Sequence, residues 1–453
     1  MQFTADHIAD IRAQFPALSR EIKGEPAAFL DGAAGSQVPQ TVIDAIGDYL
    51  SNRNANHEGE FATSRESDAM LEQAHLAGAD FLGADDPRTV CFGANMTTLT
   101  FAFSRALART WRAGDEILIT RLDHDANFTP WHLAARDAGV TVREAAIRPG
   151  DCTLDPVDFK DKLTDKTRLV AFAAASNFSG TINPINKLCA LAHAAGAQVF
   201  IDAVHYAPHR RIDVNAWQCD YLACSAYKFF GPHIGLLWGR RDLMELLSPY
   251  KLRVATDSLP GRWMTGTQNH EGIAGTLAAI NYIASLAEAP DRRAGLDAAF
   301  DSITEYENDL AAQALRGLRE IDELEIFGIT DEARLDERVP TFTFRHPACP
   351  PREMARRLGD AGIFAWHGNY YALPLTEALG LEPEGAVRAG FLHYNTRAEA
   401  DRLVNALKKI CAKKNENAPP RDRLSPPPPR LQLKTLTSAL AVGGIRAKVL
   451  GAE

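Results

Sequence analysis

The sequence predicts an α/β fold: a large domain built on a seven-stranded, mostly parallel sheet, with a smaller α+β domain beside it. Three observations predict it. Between residues 60 and 240, short apolar or β-branched runs alternate with longer stretches of helical period, the pattern of a sheet covered by helices. Glycine and proline, as in Gly196 and Gly231-Pro232, punctuate the joints. Beyond about residue 260 the alternation gives way to long helical stretches and a closing strand and helix.

The strands are expected at Thr89–Phe92, Glu116–Thr120, Thr141–Ile147, Leu169–Ala174, Gln198–Asp202, Tyr221–Ser225 and Gly235–Trp238. Between them, Asn186–Ala195 carries Leu188, Leu191 and Ala192 at helical spacing, and Gly196 stops that helix. The Gly231-Pro232 break implies a reversal, so Gly235–Trp238 can pair antiparallel. Then come a helical region over Glu271–Arg316, the runs Leu324–Thr330, Thr341–Arg345 and Glu353–Ala361, a strand in Arg388–Tyr394 and a helix over Thr396–Lys408. The implied organisation is residues 1–30 as a segment of the small domain, 31–265 as the large domain, and 266–412 as helical connection plus small domain. From Lys413 onward the composition shifts to six prolines and eight Lys/Arg against three Asp/Glu, so 413–453 reads as a Pro-rich basic tail, expected to be disordered.

Composition narrows the function. The 453 residues are 46% hydrophobic and 24% charged, with net charge 49 − 58 = −9, and the length suits two or three domains at roughly 100–200 residues each. Removing the tail's +5 leaves −14 on residues 1–412, a field that does not gather nucleic acid. No export signal and no run of 18 apolar residues is apparent, so no membrane partner is expected. The seven cysteines are scattered without a C-x-x-C pair, which points to a reducing cytoplasm.

In open α/β sheets ligands sit beyond the carboxyl ends of the strands, so the residues closing each run come first. They are Gly93-Ala94-Asn95-Met96-Thr97-Thr98, His124, Asn177, Asp202 with His205, and Ser225 with Lys228. A buried lysine can form a Schiff base with a carbonyl cofactor, and a facing carboxylate can hold a pyridinium proton, as pyridoxal 5'-phosphate (PLP) requires. Taken singly, Asp202 is better explained as a helix cap and Lys228 as a surface lysine.

The set as a whole changes that weighing. FLDGAAGSQVP near residue 29, Ala55-Asn56-His57 with Gly59, LDHDAN (122–127), SNFSGTINPI (176–185), DAVHYAPH (202–209), SAYKFFGP (225–232), GTQN (266–269) and VRAGFLHYNT (387–396) occur in the order found in one family. The chain, over roughly residues 10 to 410, resembles the class V aminotransferases of fold-type I, in particular their cysteine-desulfurase-like branch. The resemblance implies PLP as cofactor, an amino acid as substrate, and a homodimer. It implies that Lys228 binds the cofactor, that Asp202 holds its ring nitrogen, and that His124 stacks on the ring. Asn177 and His205 would hydrogen-bond the phenolic oxygen. Ser225, with Asn95, Met96 and Thr97 at a helix N-terminus, would hold the phosphate, and Thr267 would reach it from the neighbouring subunit. Arg388 would clamp the substrate carboxylate, a task suited to a planar guanidinium fork, and Asn56 would lie on the substrate side.

The pattern breaks at one loop. Where the branch carries R-x-G-H-H-C-A-x-P-L, this chain reads Trp366-His367-Gly368-Asn369-Tyr370-Tyr371-Ala372-Leu373-Pro374-Leu375, with Tyr371 in the place of the sulfur-accepting cysteine and Trp366 in that of the arginine. A phenol cannot become a persulfide. Cys349 lies 22 positions upstream of Tyr371 and reads as an inert loop thiol. Tyr227 replaces the histidine that usually precedes the lysine. His205 and His209 share a spacing that zinc uses on helices, but the segment leaves a strand and offers no third ligand, so no metal site is expected. No phosphate-binding loop of the G-x-x-x-x-G-K-[ST] kind is present. The function expected is a PLP-dependent lyase cleaving Cβ–S or a related bond without a persulfide cysteine. The alternatives are an aminotransferase or amino-acid epimerase of the same family, or a catalytically silent binding protein of this fold.

Overall fold

The computed structural model describes residues 3–412; the Pro-rich stretch from 413 onward lies outside them. Its centre is a seven-stranded sheet in the spatial order Val90–Gly93, Gly235–Gly239, Tyr221–Ser225, Gln198–Asp202, Thr167–Ala173, Glu116–Thr120, Thr141–Ala145. All seven expected strands belong to it. Gly235–Gly239 runs antiparallel to both of its neighbours, Tyr221–Ser225 and Val90–Gly93, as the Gly231-Pro232 reversal requires. The four central strands are buried almost throughout, and successive side chains feed opposite cores. Val199 and Ile201 pack with Leu118, Val170 and Leu222, whereas Phe200 packs with Phe103, Trp131 and Tyr221.

Two expectations are corrected. The helical region 271–316 is two helices, His270–Ala284 and Arg292–Arg319. Pro290 cannot extend a helix, and Asp291 starts the second one by accepting from the Ala294 amide. The strand expected over 141–147 ends at Ala145, and Ile147–Arg148 instead forms a small antiparallel pair with Thr153–Leu154.

A second sheet, in the order Glu325–Phe327, Thr341–Arg345, Ala386–Gly390, Trp366–Gly368, is antiparallel throughout. The N-terminal residues join this part of the molecule. Ala28–Phe29 pairs in parallel with Ile363–Phe364, Asp31 bridges to Gly390, and Arg12 on the helix Ala5–Ala13 donates to the Tyr394 carbonyl and to Glu399.

Two glycines permit close approaches that shape the site. A Cβ on Gly235 would lie 2.5 Å from the Asn95 carbonyl carbon, so only glycine lets the helix Met96–Ala108 start against this strand. Gly385 has φ +67, and a Cβ there would lie 2.2 Å from the Gly368 backbone. Replacing it, Gly385→Ala, is expected to cost about 2–3 kcal/mol through strain and collision. Urea unfolding measures this, and an unchanged midpoint would show that the two segments do not meet this closely.

Candidate active site

A cavity of about 520 Å³ opens at the carboxyl ends of the parallel strands. Asp202 and Ser225 close their strands at its floor, Asn95, Met96 and Thr97 begin a helix at one end, and His124, Asn177, His205 and Lys228 complete the wall. Each of these nine residues was singled out from the sequence. Ala126, Val204, Tyr227 and His233 also line the space, with the rings of Tyr227 and His233 stacked 5.2 Å apart.

The helix end is arranged for an anion. Asn95 caps Thr98 through its side chain, and the Met96 amide donates to Ser225 Oγ at 2.9 Å, which ties strand end to helix start. The Thr97 amide has no partner among the described residues and remains available, as does the Ser225 hydroxyl proton.

Lys228 sits on the short 3-10 turn Ala226–Lys228 and is buried, with Nζ donating to the Ala33 carbonyl at 2.5 Å. Burial, assisted by the nearby Arg388 charge and opposed by Asp202, lowers its amine to about 7. Asp202 is equally buried and accepts from the Val204 amide at 2.8 Å. Burial raises its carboxyl to about 6, with the Val204 amide and Lys228 pulling the other way. Behind it lies Asp123, fully enclosed and bonded to Thr120 and Asn127, whose carboxyl burial pushes well above the ordinary range. His124 accepts from the Ala126 amide through Nδ1, so the neutral ring carries its proton on Nε2, and burial holds it neutral down to about 4. His205 is neutral for the same reason; its Nε2 meets Thr341 Oγ1 at 3.0 Å and its Nδ1 has no partner.

Asn177, Arg388 and Tyr370 form a closed set. Arg388 donates to the Asn177 carbonyl at 2.6 Å, Asn177 Nδ2 donates to the Tyr370 carbonyl at 2.9 Å, and the Tyr370 ring lies 4.0 Å from the guanidinium carbon. Tyr370 also donates its hydroxyl to the Ala386 carbonyl. The guanidinium is stacked and still charged: burial lowers it only to about 10. Asp31, whose carboxyl burial raises to about 6, lies within its field. Asp31 and Ala33 lie in the FLDGAAGSQVP motif and Tyr370 in the divergent loop, but none was singled out as a site residue. Tyr370 acts through a left-handed backbone, φ +57, that no local pattern announces.

Three expected residues are not part of the cavity lining: Asn56 and Thr267 are exposed, and Arg388 is buried against Tyr370 and Asn177. Of the other singled-out groups, His209 is buried against Glu307 at 2.8 Å, Cys349 is buried, and Tyr371 is exposed with its ring 5.5 Å from His124. Among the described residues no group of three or more His, Cys, Asp or Glu could hold a metal, and no helix is long and apolar enough to cross a membrane.

These donors fit a phosphorylated pyridine aldehyde. The cavity offers a buried amine for the aldehyde, a buried carboxylate for a ring nitrogen, and open donors at a helix start for the phosphate. Asn177 Oδ1 and His205 Nδ1, both buried without partners, await polar atoms of a ligand.

Comparison with known proteins leads to the same place. Residues 28–403 match the family model described as aminotransferase class-V. Cysteine desulfurases of Serratia proteamaculans and Yersinia pestis are 32% and 33% identical, each over 89% of this chain and 98% of the relative. An apo cysteine desulfurase of Thermococcus onnurineus superposes with a TM-score of 0.80 at 25% identity, over 91% of this chain and 99% of that one. A cysteine desulfurase of Escherichia coli, in its S-sulfonic acid form, gives 0.77 at 28% identity over 90% and 99%. With fold, cavity and family model in agreement over most of its length, the chain belongs to the class V aminotransferases, as a pyridoxal 5'-phosphate-dependent enzyme related to the cysteine desulfurases.

Proposed function

We propose that this enzyme is a β-lyase that cleaves a carbon–sulfur bond at Cβ of an amino acid and passes no sulfur to a protein thiol. One observation carries the reading: among the described residues no cysteine lines the cavity, and Tyr371 occupies the loop position where the desulfurase-like motif has its cysteine. All seven cysteines are free thiols, six of them buried, and burial raises the thiol of every one. A thiol held protonated is a poor sulfur acceptor. A cytoplasmic setting accords with those unpaired thiols.

PLP bound to Lys228 supplies an electron sink for charge released at Cα. The chain's own groups do the remaining work. Arg388, braced by Tyr370 and the Asn177 carbonyl, fixes the substrate carboxylate and so orients the Cα–H bond. Lys228, with its amine lowered to about 7, is the base that takes the Cα proton onto Nζ. Asp202 keeps a counter-charge at the far end of the cavity. His124, neutral with its proton on Nε2, lines the cavity and would hold the cofactor ring against the opposite wall. Asn177 Oδ1 and His205 Nδ1 supply the remaining polar contacts. The active form is a homodimer in which the neighbour's Thr267 and Asn56 complete the phosphate and substrate sides. Their exposure, away from this chain's own cavity, supports that arrangement.

Three outcomes are expected. Purified protein is yellow, and Lys228→Ala loses the band; apoprotein regains it on adding PLP at a rate that climbs with pH through about 7 and then levels. The sign follows from the lowered amine, because Nζ is neutral above that value, whereas an ordinary lysine would keep gaining up to 10.5. Arg388→Lys raises KM for the amino acid about tenfold or more with a smaller effect on kcat, since an ammonium cannot make the bidentate contact. Incubation with S-substituted cysteines releases thiol and pyruvate in equal amounts. Keto-acid-dependent turnover would instead make it a transaminase, inversion at Cα an epimerase, and persulfide on the protein would overturn the thiol argument.

A further inference from the structure

Trp366, Tyr371 and Leu373 are 54%, 71% and 40% exposed, three large apolar side chains within eight residues on one segment that runs from beside Arg388 to beside His124. Apolar groups crowded in this way mark a contact surface. Trp366 stands directly opposite Arg388 in the antiparallel pair, so its indole shares a sheet face with the guanidinium. On the other side, the Tyr371 ring lies beside His124 at an interplanar angle of 34°.

The segment is held in this shape. Tyr370 and Tyr371 both adopt left-handed backbone, φ +57 and +59, a conformation that side-chain-bearing residues avoid. Hydrogen bonds fix both carbonyls, Tyr370 to Asn177 and Tyr371 to the Asp125 amide at 2.6 Å. The Tyr371 hydroxyl has no partner among the described residues. One exposed ring therefore sits beside Arg388, the expected carboxylate clamp, and the other beside His124 on the cavity wall. Asp202 is the one carboxylate among the described residues lining the cavity, and it lies at the floor.

We propose that Trp366 and Tyr371 form a side-chain subsite for a large apolar, preferentially aromatic, β-substituent, making the substrate an S-arylmethyl or bulky S-alkyl cysteine rather than free cysteine. The sulfur rests on the β-lyase reading above; the preference for an apolar ring does not. In the balanced reaction one water is consumed, the Cβ–S bond breaks with its electron pair on sulfur, the thiolate takes a proton, and pyruvate and ammonia leave.

The test uses holoenzyme with cysteine, S-methylcysteine and S-benzylcysteine. Dissociation constants come from the ligand-induced change in the visible band, and turnover from released thiol and pyruvate. The benzyl compound is expected to bind at least about tenfold more tightly than the methyl compound, the scale on which apolar pockets discriminate. Trp366→Ala and Tyr371→Ala should each reduce that ratio severalfold. Tighter benzyl binding without thiol release leaves the subsite standing and removes the lyase reading. Thiol release with equal binding of all three overturns the subsite and leaves the lyase. Variants that keep the ratio but fall from dimer to monomer in sedimentation would assign the rings to a subunit contact and likewise overturn it.

Discussion

The structure depends on keeping a buried amine and a buried carboxylate together in the lining of one cavity. Lowering a lysine from 10.5 to about 7 corresponds to about 5 kcal/mol, at 1.36 kcal/mol per unit. That is a large share of the 5–15 kcal/mol by which whole domains are stable. The cost is borne because the site is built on the most deeply packed element, a sheet with helices on both faces. The Ala33 carbonyl meets the amine, the Val204 amide meets the carboxylate, and neither charged form is left without a polar neighbour.

The second sheet is fastened to the first by polar groups as much as by apolar ones. Arg210, which follows the strand Gln198–Asp202, donates to the carbonyl of Arg338, whose own buried guanidinium bonds the Ile329 and Thr341 carbonyls of the second sheet's region. Thr341 in turn holds His205, and Thr343 donates to the Phe178 carbonyl. Removing one partner of such buried contacts costs more than the contact itself contributes. The position of Arg388 relative to Lys228 is therefore tightly determined.

Much of this was legible in the sequence because the physics is local. Runs such as Val199-Phe200-Ile201 are apolar at every position because both faces of their strand are covered. Strand-end polar residues stand out against such runs, which is why Asp202, Asn177 and Lys228 could be named together. What stayed hidden is long-range or conformational. Tyr370 gains its place by a left-handed turn and a contact with Arg388, and the lysine's acceptor is a backbone carbonyl 195 positions away. Pro290 was present to be read, but the helical period on both sides masked the break.

The pairing of Ala28–Phe29 with Ile363–Phe364 also bears on biosynthesis. Ile363 emerges 363 − 28 = 335 residues after its partner. At about 5–20 residues per second, the N-terminal strand and the Ala33 carbonyl wait on the order of half a minute for the segment that secures them. Throughout that interval the nascent chain can complete its large sheet, yet the lysine's enclosure stays open on the ribosome. The site closes only after Ile363 and Phe364 have emerged.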